Sequence, residues 1–325
     1  MTEQLKLKLN DSKATRWGAL VIVAFTMMAA YYVNDVVAPL KTMLETDLAW
    51  SSTDFGFFTG GYSFLNVFFL MLIWGGLILD RFGIRFTGKL ATILMVGGTA
   101  LEYYAMTRLA GTDATLFGIN EIFGYKTGVF VAFAGYSIFG VGAEVAGITV
   151  SKIIAKWFKG KELATAMGVQ VALARIGSQA GYAVAIPLAR AFGISTPVLL
   201  GLVLLLGGMI AFFIFTVMDK KLDKQMEAAA IAAGTEDEEE KFSFKDVKNI
   251  LVNPGFWLIA LLCVLFYSCV FPFQKFASEL MIIKYGINEN VAGTFAGLPA
   301  LGALILTPVF GGFIDKRGKS ASIML

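Results

Sequence analysis

Residues 71–90 read Met-Leu-Ile-Trp-Gly-Gly-Leu-Ile-Leu-Asp-Arg-Phe-Gly-Ile-Arg-Phe-Thr-Gly-Lys-Leu. An apolar run stops at Asp80-Arg81, turns through Gly83 and resumes after Arg85. A charged turn with apolar runs on both sides is what a chain needs to cross an apolar layer, turn in water and cross back. Gly76 would let neighbouring helices approach closely, and Gly83 would permit the tight turn. Asp80 falls where the second apolar run begins, a position that favours the positive end of a helix.

The pattern continues on either side of this turn. Stretches of about 20 mostly apolar residues, the length of one membrane crossing, lie near 17–40, 54–78, 87–107, 129–156, 163–187, 196–218, 255–282 and 291–313, and a ninth begins near Ser320. The spans are expected to be helical, because in lipid each backbone N–H and C=O must be satisfied within its own segment, and these runs are too long for barrel strands. The first run is too long for a signal-peptide core and has no small-residue cleavage site, so it reads as a retained span. Only 16% of the 325 residues are charged and 57% are hydrophobic, more apolar surface than a soluble domain of this size can hide.

Charge placement gives the expected orientation. Of 27 basic residues, 20 fall on the N-terminus and the alternate connections at 81–89, 152–161, 220–248 and 316–319. The other connections hold 5, namely Lys41, Arg108, Lys126, Arg190 and Lys284, while Arg175 and Lys275 lie inside spans. That asymmetry places the N-terminus on the cytoplasmic side. The net charge of +3 points to no nucleic acid. Histidine is absent, so no metal site or catalytic triad can use it, and Cys263 and Cys269 share one apolar segment as reduced thiols. There is no phosphate-binding loop, zinc spacing or nucleophile elbow, and neither an enzyme nor a cofactor is expected.

Three parts follow: a six-helix bundle over 1–218, an acidic cytoplasmic linker over 219–254 carrying Glu236-Asp237-Glu238-Glu239-Glu240, and a second set of spans over 255–325. The segment 219–233 is suited to an amphipathic helix on the membrane surface. The second set opens like the first. Gly311, Asp315 and Lys316 repeat the spacing of Gly76, Asp80 and Arg81, and each copy closes the second span of its set. Such internal repetition is a common way to build a transporter.

The motif Gly76-x-x-x-Asp80-Arg81-x-Gly83-x-Arg85, with its second copy, resembles the signature turn of the major facilitator superfamily. Three further stretches resemble that family's lysosomal dipeptide transporter branch and its bacterial relatives: Phe139-Gly140-Val141-Gly142-Ala143-Glu144, Trp157-Phe158-Lys159-Gly160-Lys161-Glu162-Leu163 and Ala172-Leu173-Ala174-Arg175-Ile176-Gly177-Ser178. Tyr62-Ser63-Phe64-Leu65-Asn66 and Val270-Phe271-Pro272-Phe273 fit the same branch. The resemblance implies an all-α fold of twelve helices, of which these residues supply eight and the start of a ninth, leaving the C-terminal bundle incomplete. It also implies that Gly76, Asp80, Arg81, Gly83 and Arg85, with Gly311, Asp315 and Lys316, form gating turns, and that Glu144 and Arg175 bind peptide. The expected membrane is lysosomal in a eukaryote and the plasma membrane in a bacterium. Nothing in the sequence specifies an accessory subunit.

Glu144 and Arg175 can also be placed without the family. They lie equally far to either side of the turn between Trp157 and Glu162, so both sit about 20 Å along adjacent helices from the same end. Charges at that depth are costly and need partners. Glu144 is suited to an ammonium group and Arg175 to a carboxylate, which a guanidinium grips through two parallel hydrogen bonds. A direct Glu144–Arg175 ion pair locking the two helices is the structural alternative. Gln179 and Tyr182, Tyr62 and Asn66, Tyr32 and Asp35, Tyr267 and Lys275 are further candidates to line the cavity. Asp35, Glu102 and Glu279 lie near outer helix ends, from which they could instead reach the interface. The expected function is transport of a small-molecule substrate across a bilayer by alternating access, with dipeptides moved by facilitated diffusion. A proton-coupled symporter of amino acids or organic anions is the alternative, and a non-transporting receptor or scaffold is the rival of another class.

Overall fold

The computed structural model of the chain describes residues 8–110, 115, 118–233, 249 and 251–306. Ten helical stretches of seven residues or more are seen among them: α1 (Lys13–Val36), α2 (Lys41–Asp47), α3 (Ser52–Phe68), α4 (Met71–Arg108), α5 (Thr127–Trp157), α6 (Leu163–Phe192), α7 (Thr196–Ala233), α8 (Pro254–Tyr285), α9 (Glu289–Ala296) and a further one over 298–306. Their ends follow local chemistry. The Ser12 hydroxyl accepts from the Thr15 amide to start α1. Ser51 and Asp54 form a reciprocal capping box at the start of α3. Asn253 followed by Pro254 opens α8, and Gly286, at φ 63°, closes it.

Helix covers all eight expected spans as far as the described residues reach. Among the described residues five helices are long and apolar enough to cross a membrane, with Glu289–Leu306 counted as one, or six when α3 and α4 count as one bent span. α6 falls short because Gln170, Arg175, Ser178 and Gln179 interrupt its apolar character. Two boundaries differ from expectation. The second span is broken at Phe69-Leu70, where Leu70 takes a left-handed conformation (φ 52°), and α3 and α4 meet there at 58°. α7 does not stop at 218 but runs on to Ala233. Its extension is not a separate surface helix, because Asp219 and Leu222 are buried and Gln225 accepts from the Leu9 amide. The acidic run 236–240 and the second motif copy, Gly311, Asp315 and Lys316, lie outside the described residues.

α1 packs on α6 and α7, both parts of α4 pack on α5, and the second part of α4 reaches α7. Glycines bring these backbones together. A Cβ on Gly98 would strike the Phe139 amide and the Gly135 carbonyl, and one on Gly177 would strike the Met28 carbonyl. Small residues at helix crossings of this kind are how helices associate where no water drives them together.

The two ends of the bundle differ. At one, here called the basic end, the N-terminal segment, the turns at 83 and 158–162 and the α7 extension meet through ion pairs of Arg16 with Glu162, Lys152 with Asp80, Arg85 with Asp219 and Asp223, and Lys156 with Asp219. At the opposite end a short hairpin, Glu121–Ile122 with Tyr125–Lys126, turns through Phe123 and Gly124. Both turn residues have positive φ, as a two-residue turn of type I′ requires.

Candidate functional site

Glu144 lies on α5, midway between Val131 and the end of the helix at Trp157, and Arg175 lies on α6, a comparable distance beyond its start at Leu163. Each is therefore about 20 Å along its helix from the basic end. The Tyr62 hydroxyl donates to Glu144 Oε1 at 2.7 Å. The Arg175 guanidinium sits over the Tyr31 ring, 5.5 Å from its centroid, a cation–π contact. Both charged side chains are half-buried, and among the described residues neither forms an ion pair, with the other or with a third group. The direct Glu144–Arg175 lock is not seen.

The remaining candidates are distributed unevenly. Asn66 turns its amide back to the Tyr62 carbonyl at 3.0 Å, beside the Glu144 cluster. Tyr32 does not face the cluster: its hydroxyl donates to the Pro197 carbonyl at 3.2 Å and its ring packs on Gly201 of α7. Tyr31, one position away, is the tyrosine that meets Arg175. Tyr267 is 47% exposed on α8 and stacked on Phe271 at 5.0 Å, and its hydroxyl has no hydrogen bond among the described residues.

Asp35, Gln179, Tyr182 and Lys275 form a second cluster nearer the opposite end, where α8 and α9 meet the bundle. The Lys275 ammonium donates to the Asn34 carbonyl at 2.6 Å and to the Tyr136 hydroxyl at 3.0 Å, and lies 3.9 Å from Asp35 Oδ1. Tyr182 donates to the Gln274 carbonyl at 3.1 Å, and Gln179 packs on Gly297 with its Oε1 buried and unpartnered among the described residues. Further out, Lys41 pairs with Glu45 at 2.8 Å and with Glu279, while Arg190 pairs with Glu289 and donates to Asn290 at 2.8 Å. Among the described residues, every polar contact from α8 and α9 to the bundle comes from Gln274 onward. The preceding stretch of α8, from Pro254, is exposed. Among the described residues, the polar contacts between these helices and the bundle are thus gathered at the opposite end.

Three acids expected to reach the interface are placed elsewhere. Asp35 is buried beside Asn34, Glu279 is paired with Lys41, and Glu102 is 0% exposed with both carboxyl oxygens unpartnered among the described residues. At the gating turn, Gly83 takes φ 74° as a tight turn requires. Among the described residues Gly76 has nothing within 4 Å of a Cβ position, and the glycine at the close approach is its neighbour Gly75, against Val145. Asp80 precedes the Gly83 break and pairs with Lys152 at 2.9 Å instead of capping the next helix. Arg81 lies over Phe82, and Arg85 reaches Asp223 at 2.6 Å. An apolar groove of about 570 Å³, lined by Phe57, Phe64, Phe123, Phe130 and Phe133, lies between α3 and α5 and contains none of these charges.

The bundle order, the Gly83 turn and the charged pair at mid-depth agree with a family match: the model of the Major Facilitator Superfamily covers residues 20–325. The chain belongs to the Major Facilitator Superfamily. Within that superfamily it is similar to curated proteins named lysosomal dipeptide transporter MFSD1. The protein from Homo sapiens is 27% identical over 325 residues, covering 94% of this chain and 63% of the relative. That from Danio rerio is 26% identical over 312 residues, with 93% and 62% covered, and that from Gallus gallus is 32% identical over 199 residues, with 57% and 43% covered. The chain therefore spans less than two thirds of the length of these superfamily relatives. Membership makes it a multi-pass integral membrane protein of a transporter family.

Proposed function

We propose that the protein carries small solutes across a membrane by alternating access, with short peptides, dipeptides foremost, as substrates moved by facilitated diffusion. The observation that carries this reading is the pair Glu144 and Arg175, at one depth on α5 and α6 and not joined to each other. A zwitterion can bridge them, its ammonium at Glu144 and its carboxylate in the Arg175 fork. Tyr62 and Tyr31 hold the two charges in place. The names of the relatives support a peptide substrate and, in a eukaryote, a lysosomal membrane. Basic-residue placement supports a cytoplasmic basic end. An enzymatic role is not proposed.

The test is dipeptide uptake into proteoliposomes. Glu144→Gln and Arg175→Ala should each lower the rate at least about tenfold, the loss of one charge-assisted contact. Normal rates in both variants would overturn the reading. Proton-coupled symport is the second reading, and Glu102 favours it as a buried carboxyl with no partner among the described residues. An inward proton current accompanying uptake would select it.

A further inference from the structure

The geometry points to a primary-ammonium site on the first bundle, built by Asn34, Asp35 and Tyr136, which Lys275 of α8 occupies as a tethered ligand and so holds the opposite end shut. Asn34 lies in the last turn of α1, where carbonyls have no partner further along the helix and the helix end attracts cations. Its carbonyl accepts from the Lys275 ammonium at 2.6 Å. The Tyr136 hydroxyl accepts from the same ammonium at 3.0 Å and donates its own proton to the Asn34 carbonyl at 2.8 Å. Asp35 supplies charge at 3.9 Å, with its Oδ1 held by the Asn34 amide at 2.9 Å. Carbonyl, hydroxyl and carboxylate are the groups that recognise an ammonium with N–H donors.

All of these groups come from α1 and α5, whereas the ammonium comes from α8. The pairing with Asp35 is loose, and the short contacts are to neutral oxygens. That arrangement suits a cation that leaves as a unit when α8 moves away from the bundle. Once vacated, the site can receive the amino end of an incoming substrate on its way to Glu144. That last step rests on the peptide reading above; the site itself does not.

The test uses purified protein in detergent, with thermal unfolding as readout and methylammonium, tetramethylammonium and sodium chlorides as probes at equal concentration. Lys275→Ala should lower the midpoint, and methylammonium should raise it again along a saturating curve. Tetramethylammonium has no N–H to donate and should not, nor should sodium. The unmodified protein should respond to none of the three, and adding Asp35→Asn to Lys275→Ala should weaken the methylammonium response at least threefold. A flat response, or equal responses to all three cations, overturns the inference. If Lys275→Ala gives no folded protein, Lys275→Met keeps the stem and is judged by the same outcomes. Failure here with normal dipeptide uptake would remove the ammonium site and leave the peptide reading standing.

Discussion

Tyr62→Phe removes the hydroxyl that donates to Glu144 while keeping the ring. A hydrogen bond to a charged group contributes about 1.5–3 kcal/mol, so dipeptide uptake should show a KM raised about tenfold with little change in folded yield. Arg175→Lys keeps the charge and loses the fork. Peptide affinity should fall by a similar factor, read by thermal shift with a dipeptide. Glu144 and Arg175 were legible in the sequence because charges inside long apolar runs are conspicuous, and their equal distance from one turn fixed a shared depth. Tyr31 was not singled out, although it lies four residues before Asp35 and so on its helix face, whereas Tyr32 is rotated away by one residue, about 100°. Asn34 and Tyr136 were missed because their roles depend on Lys275, which belongs to a different set of helices and is remote from both along the chain.

Helix contacts separate glycines that matter from glycines that do not. Gly98→Leu should cost about 1–3 kcal/mol through overpacking of α4 on α5, seen as lower thermal stability in detergent. Gly76→Ala should be neutral, because none of the described residues lies within 4 Å of its Cβ position. At the basic end, the hydrogen bond from Lys161 holds the Asp11 carboxyl below its ordinary value, and the bond from Arg16 does the same for Glu162. A lowered folded value means that these ties contribute above the unfolded carboxylate pKa and are lost as pH falls through the folded one. Protection against hydrogen exchange at residues 8–12, taken relative to the intrinsic rate at each pH, should therefore fall below about pH 4 and stay level between about pH 5 and 8. Helix positions were legible from apolar runs, since a bilayer fixes their length. The break at Phe69-Leu70 was not, because no glycine, proline or polar residue interrupts the run from Phe64 to Trp74 except Asn66.

For the whole molecule, closure at one end implies a measurable state. Phe55 of α3 and Phe276 of α8 meet edge to face, with centroids 5.7 Å apart. A Phe55→Cys/Phe276→Cys pair should cross-link through a short thiol-specific reagent in the state described here, and the cross-link should stop uptake until it is cleaved. Uptake at full rate with the link in place would mean that this end never opens. The division of the chain into a bundle and a following set of helices was readable from charge and spacing. Which end is shut was not, because that depends on pairings between the sets, such as Lys41 with Glu279.

The left-handed Leu70 has one more implication. It divides the second span into two rigid levers, with Tyr62 on the upper one and the Asp80–Arg85 turn on the lower. The lower lever is anchored through Lys152, Asp219 and Asp223, while the upper one packs on α5, where Gly61 meets the Phe133 carbonyl and Gly140 the Tyr62 carbonyl. A bulky residue in that backbone conformation carries strain, which gives the joint a spring: Leu70→Gly should slacken it and leave the grip on Glu144 to wander.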